Sequence, residues 1–154
     1  MTGGEKLHQR YMAMFGAYEW DKNVEKIQKW YYNKLVKASW CATSLCYFAA
    51  QVGLKLGKYE NVNALRLSCK SAAKKGYGKY FDKASIPSDL RKGDILFWLW
   101  EGDTMVATSS KHVGILDSDQ YAGAYIPCLG GNQSHMIRVT KYPREKLYAV
   151  YRPY

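Results

Sequence analysis

A chain of 154 residues with 47% apolar and 23% charged content carries enough hydrophobic material for one core, and too much for a disordered tail. No stretch reaches the roughly 20 consecutive apolar residues of a membrane-spanning helix, so membrane insertion is not expected. The net charge of +10, from 17 Lys and 6 Arg against 13 acids, draws the chain towards polyanions.

Arg is the better reader of bases and phosphates, and the excess here is mostly Lys, with no basic run longer than Lys74-Lys75. Such a diffuse field suits an anionic surface such as a bacterial wall, or simply a solvated basic exterior; nucleic acid is not expected. The opening residues, MTGGEKLHQRYMAMFGAYEW, lack the basic-then-apolar order of a secretory leader. The expectation is a protein made in the cytoplasm, or a domain cut from a longer secreted one.

In chain order, the front half reads helical. Leu7, Tyr11, Phe15 and Tyr18 recur at spacings of three and four, and Val24, Ile27, Tyr31 and Leu35 repeat the pattern behind Asp21, a candidate cap. KASWCATSLCYFAAQVG (37–53) follows, with Leu45, Phe48, Ala49 and Val52 on one helix face, Ser39 as candidate N-cap and Gly53 and Gly57 as stop signals. A weaker helix spans about 61–75 and ends at Gly76. Residues 77–92 read as irregular, broken by Gly78, Pro87 and Ser88.

The back half changes period. DILFWLW (94–100), HVGILD (112–117), AGAYIPCL (122–129), MIRVT (136–140) and LYAVYR (147–152) are short β-type runs between polar or glycine-bearing turns. Helices first and strands second imply an α+β protein, with helices packed on one face of an antiparallel sheet.

The cysteines, 41, 46, 69 and 128, make no C-x-x-C pair, and free thiols are expected with no metal and no cofactor. Cys41 is the unusual one. At the first turn of its helix it meets unpaired backbone N–H groups and the positive end of the dipole, which stabilise a thiolate. The alternative is a small buried hydrophobe, the commonest fate of a free cysteine. Of the three histidines, His8 reads as exposed on a helix and His135 as part of a polar turn. His112 opens HVGIL just after the polar loop GDTMVATSSK, at the mouth of a strand, where sheets present functional groups. In LGGNQS (129–134) the Gly130-Gly131 pair allows a tight turn beside Asn132 and Gln133. A helix-start cysteine, a strand-start histidine and an amide that orients the ring match the Cys–His–polar arrangement of papain-like chemistry. Four cysteines and three histidines nonetheless allow several pairings.

Five blocks in order, WCATSLCYFAAQVG, RKGDILFW, HVGIL, LGGNQS and VYRPY, resemble the CHAP family (cysteine- and histidine-dependent amidohydrolase/peptidase) within the NlpC-type cell-wall peptidases, most nearly its compact phage and prophage versions. They cover roughly residues 35–154. The resemblance implies a papain-like α+β fold, a single catalytic domain over 1–154 (a helical part to residue 34, then the CHAP-like core), and a monomer. It implies peptidoglycan hydrolysis at an amide of the stem, cross-bridge or muramoyl junction, with anionic wall polymers as a further partner. On this footing Cys41 is the nucleophile and its backbone N–H an oxyanion donor; His112 is the general base and acid, and Asn132 orients it, with Gln133 in reserve. Trp40, Tyr77, Tyr80, Trp98 and Trp100 are groove candidates. The sequence departs from the family at Ser44 and Leu45, where a Phe is usual, and at Gly130, where many members carry a Glu. Two other readings stand beside this one: a protein deamidase or acyltransferase with the same triad, and a silent wall- or nucleic-acid-binding module.

Overall fold

Thr2 and Asp21 decide where the first two helices begin. In the computed structural model, described over residues 1–100, 105 and 111–154, Thr2 and Glu5 form a reciprocal capping box at the start of α1 (Gly3–Ala13). Asp21 accepts the amides of Asn23 and Val24 at 2.9 and 3.0 Å to start α2 (Lys22–Tyr32). The apolar stripes run past the helices they suggested. Leu7 and Tyr11 are buried, but α1 stops before Phe15 and Tyr18, both 51% exposed, and α2 closes at Asn33, whose φ of 63° ends it before Leu35. Then follow α3 (Cys41–Gln51), with Trp40 rather than Ser39 at its N-cap, and α4 (Val62–Lys74), capped by the Asn61 side chain.

The strands are β1 (Gly78–Asp82), β2 (Leu90–Arg91), β3 (Ile95–Leu99), β4 (Lys111–Leu116), β5 (Gln120–Tyr121), β6 (Tyr125–Gln133), β7 (Met136–Pro143) and β8 (Leu147–Pro153). Six form one antiparallel sheet in the order β1-β8-β3-β4-β6-β7, and β2 pairs with β5 in a small second sheet. The five expected strands are all present. β1 and β2 lie where the sequence reads as irregular; β1 is an edge strand held only by β8, and nothing in GKYFD alternates. The polar loop expected before His112, 102–111, falls largely outside the described residues.

The class is α+β, as expected, but both faces of the sheet are covered. Ile95, Phe97, Val113 and Ile115 face the helices, where they join Leu7, Tyr11, Leu45 and Phe48 in the main core. Leu96, Trp98, Leu116, Ile126 and Val150 face a second cluster with Leu90 and Leu147. That double burial explains why ILFWL is apolar without alternation. Among the described residues no helix is long and apolar enough to cross a membrane.

Asp94, in the turn before β3, is the main buried charge of this framework. Arg152 on β8 grips its carboxylate through two hydrogen bonds of 2.8 Å, and the amide of Arg91 adds a third at 2.8 Å. Replacing Asp94 with Ala leaves the guanidinium beside the core without its partner. The cost should be about 3 kcal/mol, read as a lower urea midpoint at unchanged slope; a loss below about 0.5 kcal/mol, the size of a surface substitution, would show that the pair does not tie β3 to β8.

Candidate active site

Gln28 sets up the entry to α3. Buried on α2, it donates to the carbonyls of Val36 and Ala38 at 2.8 and 3.3 Å and accepts from Thr43 at 2.8 Å. The segment leading to Cys41 is thereby fastened to the first turn of the helix it starts. That turn has no side-chain cap, so its amides lie beside Cys41 without a competing acceptor from Ser39 or Trp40. Cys41 itself is 6% exposed, and α3 packs on β4 and β6.

β4 brings His112 to the thiol. The two side chains lie close enough that each moves the other's proton affinity. Burial pushes the Cys41 thiol up, but the hydrogen bond and charge of His112, a backbone hydrogen bond from Val113 and the Ser39 hydroxyl outweigh it and hold the thiol below its ordinary value. Burial pushes His112 down, and Cys41, with a further hydrogen bond that the ring donates to Gln133, more than reverses this. The other three thiols go the opposite way. Burial raises Cys46 to about 11 and Cys128 to about 12, and places Cys69 well above its ordinary value.

The third group is Gln133, not Asn132. Gln133 Oε1 lies 2.8 Å from His112 Nε2, and its amide nitrogen donates to the carbonyls of Cys128 and Arg138 at 3.0 and 2.6 Å. Both amide hydrogens are used, so Oε1 must accept, and Nε2 of the ring must carry the proton. Nδ1 is then the nitrogen left for the thiol. In the neutral ring it is unprotonated, the form a general base needs. Asn132 instead sends its amide to Ser39 Oγ at 3.4 Å.

The cause of the swap is a bulge. The β6–β7 register shifts between Gly130 and Gln133, which swings Gln133 inward. The glycines do not make the turn as expected; they lie within β6, and the left-handed residues are Asn132, Ser134 and His135, at φ 58°, 51° and 66°. What Gly130 and Gly131 supply is room. A Cβ on Gly130 would stand 2.7 Å from Gln133 Oε1 and 3.3 Å from His112 Nε2, and one on Gly131 would meet the Trp40 ring at 2.9 Å.

The aromatic candidates divide. Trp40 and Trp98 are fully buried, Trp40 beneath the site and Trp98 in the second cluster. Tyr77 and Tyr80 are not at the site. Tyr77, 42% exposed, precedes β1 and Tyr80 lies on it, with β8 and β3 between that strand and β4. Trp100 does approach, through Tyr142, whose ring packs edge-on to His112 at 5.7 Å. Tyr142 is missed in the sequence because it lies beyond the run read as a strand. Of the other histidines, His8 is not exposed as expected: it reaches Asp117 Oδ1 at 2.6 Å and is mostly buried. His135 meets Glu19 Oε2, also at 2.6 Å. Among the described residues no group of three or more His, Cys, Asp or Glu is placed to hold a metal ion. No family model, curated protein or solved structure matches the chain.

The thiol ordering gives a test. Because Cys41 is lowered and its three companions are raised, iodoacetamide at pH 7 should label Cys41 alone in the native protein. In His112→Ala the largest counterweight to burial of the thiol is gone, so the onset of labelling should move to higher pH. Peptide mapping that finds Cys46 or Cys128 labelled first, or an onset unmoved in His112→Ala, contradicts the pairing.

Proposed function

We propose that this chain is a cysteine hydrolase of the CHAP type, with a papain-like core, that cleaves an amide bond in bacterial peptidoglycan. The observation that carries the chemistry is the chain of contacts from the uncapped N-terminus of α3 through Cys41 and His112 to Gln133. A lowered thiol at a helix start, beside a base whose tautomer a third group fixes, is the pattern of an activated nucleophile. The helix-on-antiparallel-sheet arrangement supports the papain-like reading. The wall as substrate rests on the five sequence blocks and on the +10 charge, which favours an anionic polymer.

In this mechanism His112 Nδ1 takes the thiol proton and the Cys41 sulfur attacks the amide carbonyl. The oxyanion that forms accepts from the Cys41 backbone N–H at the positive end of α3. His112 returns the proton to the leaving amine, and water, activated by the same nitrogen, hydrolyses the thioester. Gln133 keeps the ring turned so that Nδ1 faces sulfur throughout. It is neutral and adds no charge to stabilise the imidazolium; the thiolate does that. Position 130, where many members of the resembled family carry Glu, faces the same ring nitrogen, so by way of the bulge Gln133 reaches the ring from where a side chain at 130 would stand.

Incubation with purified peptidoglycan, followed by mass spectrometry of the soluble fragments, tests this reading. New amine termini at one amide position are expected, and none with Cys41→Ala or His112→Ala. Gln133→Ala should slow release by about 10- to 100-fold, the size of an orientation loss, while Asn132→Ala should cost far less. Intact wall beside release of ammonia from a protein glutamine would move the same site to deamidation. Intact wall with no thiol reactivity would leave a binding module. Equal losses from Asn132→Ala and Gln133→Ala would contradict the role given to Gln133.

A further inference from the structure

Glu19 lies in the link between α1 and α2, far in sequence from either half of the site, yet its carboxylate touches both. Oε1 accepts from the indole nitrogen of Trp40 at 3.1 Å, and Oε2 meets Nδ1 of His135 at 2.6 Å. Trp40 is the N-cap residue of α3, directly before Cys41, and His135 closes the turn directly after Gln133. The backbone runs the same way: the Glu19 amide donates to His135 O at 2.8 Å, Tyr18 bridges to Met136, and the amide of Ile137 donates to Ala17 O at 2.9 Å.

The turn so held is one that does not hold itself. Three of its four residues, Asn132, Ser134 and His135, have left-handed backbones without being glycine, a state that persists where surrounding contacts impose it. Trp40 is fully buried, and its indole N–H has Glu19 as partner. One end of the clamp thus satisfies a buried donor, and the other ties down a turn with a left-handed backbone.

We propose that Glu19 is a positioning residue, whose carboxylate sets the span between the Cys41 end of α3 and the Gln133 turn and so keeps the His112 ring seated between thiol and amide. It rests on the reading of Cys41 and His112 as the reacting pair, and acts through Trp40 and Gln133, with no contact to the reacting atoms. A carboxamide can make the same two contacts, accepting from Trp40 and donating to a neutral His135, so the effect belongs to geometry and not to charge.

The rate of Cys41 alkylation by iodoacetamide, followed across pH in the full chain beside its thermal midpoint, tests this without any wall substrate. Glu19→Ala should move the labelling onset to higher pH and slow the reaction at pH 7 by about tenfold, whereas Glu19→Gln should keep the wild-type profile. His135→Ala, which removes an exposed ring and one end of the clamp, should shift the onset the same way by less, and it carries the test if Glu19→Ala does not fold. A Glu19→Ala or His135→Ala profile that overlays wild type, even with a lowered thermal midpoint, overturns the inference, as does an equal loss in Glu19→Gln and Glu19→Ala. If instead the wild-type Cys41 reacts only in the ordinary thiol range, the reacting pair itself is wrong. A wild-type chain that labels as expected but leaves peptidoglycan intact would refute the proposed substrate and leave Glu19 in its role.

Discussion

The carboxamide of Gln133 has no freedom to turn, and the character of the site depends on that. Its two N–H groups are spent on the carbonyls of Cys128 and Arg138, so its oxygen faces His112 and leaves the ring one neutral tautomer. A histidine held this way presents an unprotonated nitrogen to Cys41 when neutral and becomes a cation when it takes the thiol proton. An isolated imidazolium in so enclosed a place would be costly, and so would an isolated thiolate; side by side, each lowers the cost of the other. The fold supplies the two approaches, an uncapped helix start from one side and the first residues of a strand from the other.

Much of the surrounding structure serves to bring these two elements close. Gln28 ties the lead-in to α3 onto α2, the bulge turns Gln133 inward, and Gly130 and Gly131 let β6 run against Gln133 and Trp40 where any side chain would intrude. The buried Asp94–Arg152 pair fastens β3 to β8 at the other end of the sheet, away from the chemistry. Among the described residues, buried amides and close backbone approaches surround the Cys41–His112 pair, with the Glu19 carboxylate one contact further out.

How much of this the residues disclose in advance follows their physics. Cys41 and His112 are legible because each stands where a period changes, a helix start and a strand start, and their meeting needs only that α3 pack on β4. Gln133 and Asn132 cannot be told apart in the same way. They are adjacent amides in one turn, and a one-residue register shift, set by packing across the sheet, decides which faces inward. Gln28 carries no signal in the sequence, although its burial and hydrogen bonds fix the α3 entry. Glu19 carries no local signal at all, since both partners, Trp40 and His135, are distant in sequence. β1 escapes because an edge strand need not alternate, and Phe15, Tyr18 and Leu35 mislead because an apolar spacing can outlast the helix that bears its first half.

The most direct measurement is an NMR titration of the His112 ring nitrogens in the wild type and in Cys41→Ala. With the thiol present, the ring should titrate above the ordinary histidine value of about 6.5 and, when neutral, carry its proton on Nε2. Without the thiol, burial remains and its main counterweight is gone, so the midpoint should fall while the tautomer, fixed by Gln133, stays the same. A midpoint that does not move on loss of Cys41, or a neutral ring protonated on Nδ1, would contradict a coupled Cys41–His112 pair oriented by Gln133.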